Sequence, residues 1–223
     1  MSNVTRISRF GFVNAYIVRE EDGLTVIDTM LPGSAKKILA ATAELSAPIR
    51  RIVLTHAHGD HIGSLDALAA AAPDAEVIIG EREARLLQKD FTMEAGESGW
   101  PKRRGSFPGA STRATRTILD GERVGSLEAI ASPGHTPGHM AFLDTRDRTL
   151  FTGDVYSTLG GTAVSAKMNP RFPLIYMGTW NRPTDAASAR RLREREPARL
   201  APGHGRILES PLAAMDAALA RLG

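Results

Sequence analysis

Short apolar runs separated by turn residues dominate the start of the chain. Residues 4–7, 13–18 and 24–28 are rich in Val, Ile and Leu, which is typical of strands. The segment Glu21, Asp22 and Gly23 separates the last two runs, so we predict a β-hairpin there.

Helical periodicity begins after Pro32. Ser34 is the predicted N-cap of a helix that Pro48 ends, with apolar positions at Ala35, Ile38, Leu39, Thr42 and Leu45. A buried strand at 51–54, a helix at 62–72, a strand at 76–79 and a helix at 81–88 follow. This alternation predicts an α/β layered fold with helices packed on sheets.

Two long stretches, residues 89–115 and 156–183, are rich in Gly and Pro and lack periodicity. Loops of this length are commonly functional or disordered. Further strands are predicted at 116–119, 126–131, 140–144, 149–152 and 199–201, and helices at 184–196 and 211–222.

Length and hydropathy predict one domain spanning residues 1–223, because 42% hydrophobic content supports a sizeable core. There is no apolar run of about 18 residues, so we expect no membrane span. The N-terminus lacks the pattern of a secretory signal, and a cytoplasmic location is therefore the default expectation.

Composition also limits the chemistry. The chain has no cysteine, so any metal site must use nitrogen and oxygen ligands. The net charge of +3 is spread along the chain, and we interpret the compact cluster Lys102, Arg103 and Arg104 as a solvated loop. Binding to nucleic acid is accordingly not expected.

The six histidines are unevenly distributed, and five stand where a two-metal site would need them. His56, His58 and His61 lie with Asp60 in one H-x-H-x-D-H motif, directly after the predicted strand at 51–54. The others, His135, His139 and His204, and also Asp154, occur in Gly-containing segments near the ends of further predicted strands.

This spacing suits metal binding. In extended chain, residues i and i+2 point to the same side, so His56 and His58 can converge on one ion. Gly59 lets the backbone turn so that Asp60 and His61 can reach a second ion. Ligands from the ends of several strands can meet in one crevice.

The motifs T-H-A-H-G-D-H-I-G, G-H-T-P-G-H, F-T-G-D and P-G-H-G resemble, in content and order, those of the metallo-β-lactamase superfamily. The resemblance covers almost the whole chain and implies a four-layer αββα sandwich. A departure is Met30, where the family often has Gly after the Asp-Thr pair, and it calls the local turn into question.

The resemblance implies a role for each motif residue. His56, His58 and His135 would bind a first metal, Asp60, His61 and His204 a second, and Asp154 would bridge both. His139 is expected to support the ligands. Asp28 is either a carboxylate behind the metals or an ordinary strand-end residue.

The expected cofactor is two Zn²⁺ ions per chain, with Fe or Mn as alternatives. A metal-bridging hydroxide would attack a small ester, thioester or lactone, with Asp60 or Asp154 as the proton shuttle. Tyr156 is a candidate oxyanion donor, and Trp100, Tyr176 and Trp180 are candidate pocket residues. The expected partners are a small-molecule substrate and, in a homodimer, a second copy of the chain.

Other activities of this fold remain as alternatives. They are a phosphodiesterase or nuclease, which usually has an extra domain, and an iron-dependent sulfur dioxygenase. A non-enzymatic binding protein is a further alternative, against which the complete ligand set argues. The absence of a metal-site cysteine and of a signal peptide argues against a true β-lactamase. A glyoxalase II type enzyme usually has a helical extension, whereas one predicted helix follows His204 here, which argues against a glutathione thioester.

Overall fold

The computed structural model describes residues 3–97, 99–101 and 103–223, so Lys102 of the predicted basic cluster lies outside the described residues. The chain divides into two compact units. The first comprises Met1–Asp90 and Phe107–Ile118, and the second comprises Phe91–Ser106 and Leu119–Gly223. The expectation of a single domain over 1–223 stays a prediction.

The first unit is built on a six-stranded sheet in the order β1-β2-β3-β4-β5-β6. Its strands are β1 Val4–Arg9, β2 Val13–Arg19, β3 Leu24–Ile27, β4 Ile49–Leu54, β5 Glu76–Gly80 and β6 Arg116–Ile118. Strands β2 and β3 pair antiparallel, which confirms the predicted hairpin. From β3 to β6 the pairing is parallel, and the apolar runs of β4 and β5 are buried, as parallel strands require.

The helices described in this unit are α1 Ala35–Glu44, α2 Gly59–Ile62, α3 Leu65–Ala71 and α4 Glu81–Leu87. The prediction of one helix at 62–72 is wrong at its N-terminal end, where the structure has two helices, α2 and α3, separated by Gly63 and Ser64. A Cβ on Gly63 would lie 2.4 Å from Cδ of Pro32, and the Ser64 hydroxyl donates to the Leu31 carbonyl at 2.7 Å. These contacts with the chain before α1 break the helical run in two.

Ser34 is the N-cap residue of α1, as predicted, but its side chain makes no capping hydrogen bond. The Ser34 hydroxyl instead accepts from the Arg9 guanidinium at 3.1 Å, and the Ser34 N–H donates to the Ser64 hydroxyl at 2.7 Å. Tertiary partners have replaced the local cap.

The second unit has a six-stranded sheet in the order β14-β13-β10-β9-β8-β7 and a two-stranded sheet of β11 and β12. The larger sheet contains β7 Arg123–Val124, β8 Leu127–Ala131, β9 Met140–Asp144, β10 Thr149–Gly153, β13 Arg199–Pro202 and β14 Leu208–Glu209. The smaller sheet contains β11 Tyr156–Ser157 and β12 Ala163–Val164. Strands β10 and β13 are parallel, and the other pairs are antiparallel.

The helices of this unit are α5 Leu174–Gly178, α6 Arg182–Glu194 and α7 Leu212–Ala220, and a 3₁₀ turn spans Ala95–Glu97. A buried cluster joins the sheet residues Leu143, Leu150 and Leu200 to Leu192 of α6 and Met215 of α7. Over the described residues, no helix combines the length and apolar character needed to cross a bilayer.

The stretch 156–183, predicted as irregular, contains β11, β12 and α5. Helix α6 also begins earlier than predicted, because the Asn181 side chain accepts from the Thr184 N–H at 3.2 Å and Pro183 occupies the first turn. The sequence signal for this helix start was Asn181, a capping residue two positions before Pro183.

Candidate metal centre

In the first unit, the H-x-H-x-D-H motif follows β4 directly and enters α2. His56, His58 and His61 are buried, and Asp60 is half-buried. Thr29 anchors the motif, because its N–H and hydroxyl donate to the His61 carbonyl at 2.7 and 2.9 Å. The loop is therefore fixed at the end of the parallel sheet.

The imidazoles of this motif face one another. His56 Nε2 lies 3.1 Å from His58 Nδ1, and the rings of His56 and His61 are 4.0 Å apart between centroids. Ligand atoms of His56 and His58 lie within 4.8 Å of each other, as do those of Asp60 and His61. Buried nitrogen and oxygen donors at this spacing fit a divalent ion.

Asp28 lies behind the motif and determines which imidazole nitrogens carry protons. Its carboxylate accepts from the Thr55 hydroxyl at 2.8 Å and from His61 Nδ1 at 2.8 Å. Because the Thr55 hydroxyl donates to Asp28, it accepts from His56 Nδ1, 3.0 Å away. Both histidines therefore carry the proton on Nδ1 and have Nε2 as the ligand atom.

The turn that presents Asp28 takes an unusual backbone conformation. Asp28 has φ 60° and Met30 has φ 58°, in the left-handed region that favours glycine. The turn forms with Met30 in place of the usual Gly, and the Met30 side chain is fully buried. Packing of this side chain offsets a conformational cost of about 1–2 kcal/mol.

One side chain of the first unit, Glu83, was missed by the sequence reasoning. Glu83 in α4 is fully buried, and its carboxylate accepts from the Ala57 N–H at 2.8 Å, which fixes the centre of the H-x-H segment. Phe107 places its ring 4.6 Å from that of His58. An acidic residue in the first helical turn after β5 was the available signal for Glu83.

In the second unit, Asp154 lies between two histidines. Its Oδ2 is 3.3 Å from His135 Nε2, and its Oδ1 is 3.3 Å from His204 Nε2. All three side chains are buried. Strands β10 and β13 are parallel neighbours, so Asp154 and His204 leave the same end of the sheet.

The loop of His135 is held by the chain that leads into α6. His135 Nδ1 lies 3.0 Å from the Thr179 hydroxyl, which donates to the Ile175 carbonyl at 2.8 Å. Thr179 therefore accepts from His135 Nδ1, and Nε2 is the ligand atom that faces Asp154. A Cβ on Gly134 would lie 2.2 Å from the Asp185 nitrogen, so this close approach requires glycine.

Asp185 is a second buried carboxyl that the sequence reasoning missed. It accepts from the Ser165 hydroxyl at 2.7 Å and lies beneath the His135 loop. Burial raises the pKa of Asp185 to about 8. The side chain is therefore largely protonated at neutral pH.

His139 contacts the backbone of a candidate ligand. Its Nε2 accepts from the Asp154 N–H at 3.1 Å, and its Nδ1 lies 2.9 Å from the Ser132 hydroxyl. The supporting role of His139 stays a prediction.

The predicted pocket residues have specific partners in the second unit. The Tyr156 hydroxyl donates to the Ala189 carbonyl at 2.9 Å within the core, where burial raises the pKa of Tyr156. The Trp180 indole N–H donates to the Arg104 carbonyl at 2.6 Å. Its backbone N–H donates to the His135 carbonyl at 3.2 Å. Tyr156 and Trp180 are thus tied to the protein itself.

Other aromatic residues also lie in the long stretches of this unit. Tyr176 is half-buried and lies under the Arg182 guanidinium, 3.8 Å from its ring centroid, and Trp100 is half-buried. Phe172, a further residue of the second stretch, places its ring 5.1 Å from that of His204. Phe172 therefore covers one face of a candidate ligand.

Comparison with known proteins places the chain in a family. The model of the metallo-β-lactamase superfamily matches residues 8–204. An uncharacterized protein, YobT, of Bacillus subtilis (strain 168) is 45% identical over 93% of this chain and 89% of its own length.

A hydroxyacylglutathione hydrolase of Aeromonas hydrophila is 30% identical over 72% of this chain, which spans 53% of that enzyme. The crystal structure of TTHA1623 in a di-iron-bound form is 26% identical, with a TM-score of 0.70 over 94% of this chain and 96% of that one. The predicted fold class, the α/β (αββα) metallo-β-lactamase fold, is confirmed. The chain belongs to the metallo-β-lactamase superfamily of hydrolases and carries a set of His and Asp donors suited to divalent metal.

Proposed function

We propose that the chain is a binuclear metal hydrolase that cleaves a small ester, thioester or lactone. The observation that carries the proposal is Asp154, whose two oxygens are each 3.3 Å from a different buried imidazole. A carboxylate in this arrangement has one oxygen available for each of two ions. Family membership and the histidine-rich motif of the first unit support the same chemistry.

The family pattern assigns each donor. His56, His58 and His135 would hold one ion, Asp60, His61 and His204 the other, and Asp154 both. The protons on Nδ1 of His56, His61 and His135 leave Nε2 as the ligand atom in each ring. Bound divalent ions supply Lewis acidity, which polarises a substrate carbonyl and lowers the pKa of water to near 7.

The protein's own residues then handle protons and orientation. Asp60 is half-buried, whereas Asp154 is 3% exposed, so we assign proton transfer to the leaving group to Asp60. Asp154 would hold both ions, and the hydrogen bond from its N–H to His139 fixes its position. Asp28 and Thr179 keep the imidazoles oriented.

Aromatic rings beside the ligands support an acyl substrate with apolar parts. Phe107 lies against His58 in the first unit, and Phe172 lies against His204 in the second. Hydroxyacylglutathione hydrolases among the relatives favour a thioester, although the chain spans 53% of the length of one such enzyme and 62% of another. We therefore include thioesters, together with esters and lactones, among the proposed substrates.

A substrate panel tests this proposal. Metal-loaded protein is assayed with aryl esters, lactones, acyl thioesters, a β-lactam and a bis-aryl phosphate. We expect hydrolysis of at least one acyl substrate and its loss, by about 10³-fold or more, in Asp154→Asn. Arg113→Ala, an exposed site in the first unit, is the matched control and keeps full activity. Hydrolysis of the phosphodiester alone would contradict the acyl assignment.

The metal itself is a separate question. We propose zinc, because imidazole and carboxylate ligands suit it. The di-iron form of TTHA1623 favours iron as the second candidate, and with it an iron-dependent sulfur dioxygenase. Loading with Zn²⁺ or Fe²⁺, followed by hydrolysis and oxygen-uptake assays with a persulfide, distinguishes the two. Oxygen consumption by the iron form without acyl hydrolysis by either form would favour the dioxygenase.

A further inference from the structure

The second unit contains a cavity of about 470 Å³ that none of the candidate metal ligands lines. Its walls are the hairpin between β11 and β12, the loop before α5 and the end of α7. The lining residues include Gly160, Gly161, Lys167, Asn169, Arg171 and Arg221. A volume of this size suits a small molecule.

The charge of this cavity is one-sided. Lys167, Arg171 and Arg221 contribute three cationic groups, and no Asp or Glu is among the described residues that line the cavity. Within the described part of the chain, the Arg221 guanidinium donates to the Thr162 carbonyl, and none of the three side chains is paired with a carboxylate. Like charges gathered in a concave surface attract a counter-ion of opposite sign.

Local geometry holds the walls in place. A Cβ on Gly160, where φ is 72°, would lie 2.5 Å from the Arg171 Cβ, so glycine allows the hairpin and the loop to approach. The Asn169 amide donates to the Leu159 carbonyl at 3.2 Å, and the Asn169 side-chain oxygen accepts from the Arg171 N–H at 3.1 Å. The cationic loop is thereby pre-organised, which lowers the entropic cost of binding.

We propose that this cavity binds a small, multiply charged anion through Lys167, Arg171 and Arg221. Guanidinium and ammonium groups form charge-assisted hydrogen bonds with phosphate and with carboxylate. The ligand class is therefore a compact metabolite that carries two or more phosphate or carboxylate groups. None of the lining residues is a candidate metal ligand, and the proposal does not depend on the proposed hydrolase activity.

Isothermal titration calorimetry on the metal-loaded protein tests the proposal with two probes. Fructose 1,6-bisphosphate represents the phosphates, and tricarballylate represents the carboxylates. We expect saturable binding of at least one probe, weakened about tenfold or more in Lys167→Gln/Arg171→Gln. The stronger probe identifies the anion chemistry.

A double variant of equal charge change is the control. Lys36→Gln/Arg113→Gln removes two exposed cations of the first unit and keeps wild-type affinity. Arg221→Gln, measured separately, should also weaken binding. The proposal is overturned if neither probe binds, if the cavity variants bind as tightly as wild type, or if the control loses affinity equally.

Discussion

Asp28 controls the protonation of two candidate metal ligands at once. It accepts from His61 directly and from His56 through the Thr55 hydroxyl. The strained backbone at Asp28 and Met30 is what brings the carboxylate to this position. A residue outside the candidate ligand set thus determines which nitrogen of His56 and of His61 is available as a ligand atom.

Removing this carboxylate should weaken metal binding. We expect Asp28→Ala to lower metal affinity by about 10–100-fold, because the two imidazoles lose the acceptor that fixes their tautomers. Competition with a chromogenic chelator measures the affinity. Asp74→Ala, at an exposed position of the first unit, is the matched control and should bind metal normally. Equal metal affinities in the two variants would contradict a positioning role for Asp28.

Substitution of Tyr156 separates a packing role for its side chain from a catalytic one. Its ring is fully buried and its hydroxyl donates to Ala189, so Tyr156→Phe should lower the free energy of unfolding by about 1 kcal/mol and leave kcat within about twofold. Chemical denaturation and steady-state kinetics provide the two readouts. Tyr176→Phe, whose ring is half-buried under Arg182, is the control. A large fall in kcat with unchanged stability would restore Tyr156 as an oxyanion donor.

At the scale of elements, Trp180 connects the segment around Arg104 to the chain before α6. The indole N–H holds Arg104, and the Arg103 guanidinium lies 4.0 Å from the centroid of the Phe91 ring. Both contacts lie within the second unit. These two contacts fix the segment around Arg104, which lies in the stretch 89–115 and is assigned to no strand.

Loss of the indole donor should therefore loosen this segment. We expect trypsin to cleave after Arg103 or Arg104 several-fold faster in Trp180→Phe than in wild type, because local opening exposes these bonds. Mass spectrometry of timed digests identifies the cut. Trp100→Phe alters the neighbouring stretch without removing a side-chain hydrogen bond to Arg104 and should digest like wild type. Unchanged cleavage in Trp180→Phe would mean that Arg104 is held by other contacts.

Elements with strong local patterns were predictable, and those set by tertiary contacts were not. The buried runs of β4 and β5 and the β2–β3 hairpin follow directly from apolar residues and turn chemistry. The break between α2 and α3 arises from contacts of Gly63 and Ser64 with Pro32 and Leu31. No local sequence rule contains that information.

At the scale of the molecule, Asp185 should make stability depend on pH. Burial raises its pKa to about 8, well above the value of about 4 in an unfolded chain. Below pH 4 the carboxyl is protonated in both states and its contribution to stability is fully present. Between about 4 and 8 the unfolded state releases the proton that the folded state keeps, so the contribution is lost as pH rises.

Asp185→Asn should flatten this dependence. Between pH 5 and pH 9, wild type should lose about 4 kcal/mol more of its free energy of unfolding than the variant does, because the amide cannot ionise. Urea denaturation at matched metal content gives both curves. Parallel curves for the two proteins would show that Asp185 does not titrate in this interval.

The donor set of the site was predictable, whereas its supporting residues were not. The H-x-H-x-D-H spacing and the Gly-containing loops identify seven candidate ligands from the sequence, and the structure places them after strands of the two units. Glu83, Thr179 and Asp185 support these loops from helices or loops distant in sequence. Their roles depend on tertiary contacts that no spacing rule encodes.

Metal content per chain tests the central claim most directly. Protein saturated with Zn²⁺ or Fe²⁺ and then desalted is analysed by inductively coupled plasma mass spectrometry. We predict about two ions per wild-type chain and about one or fewer in His58→Ala and in His204→Ala, because each histidine serves a different ion. Fewer than one ion in the wild type, or two ions retained in both variants, would contradict a binuclear centre built from these residues.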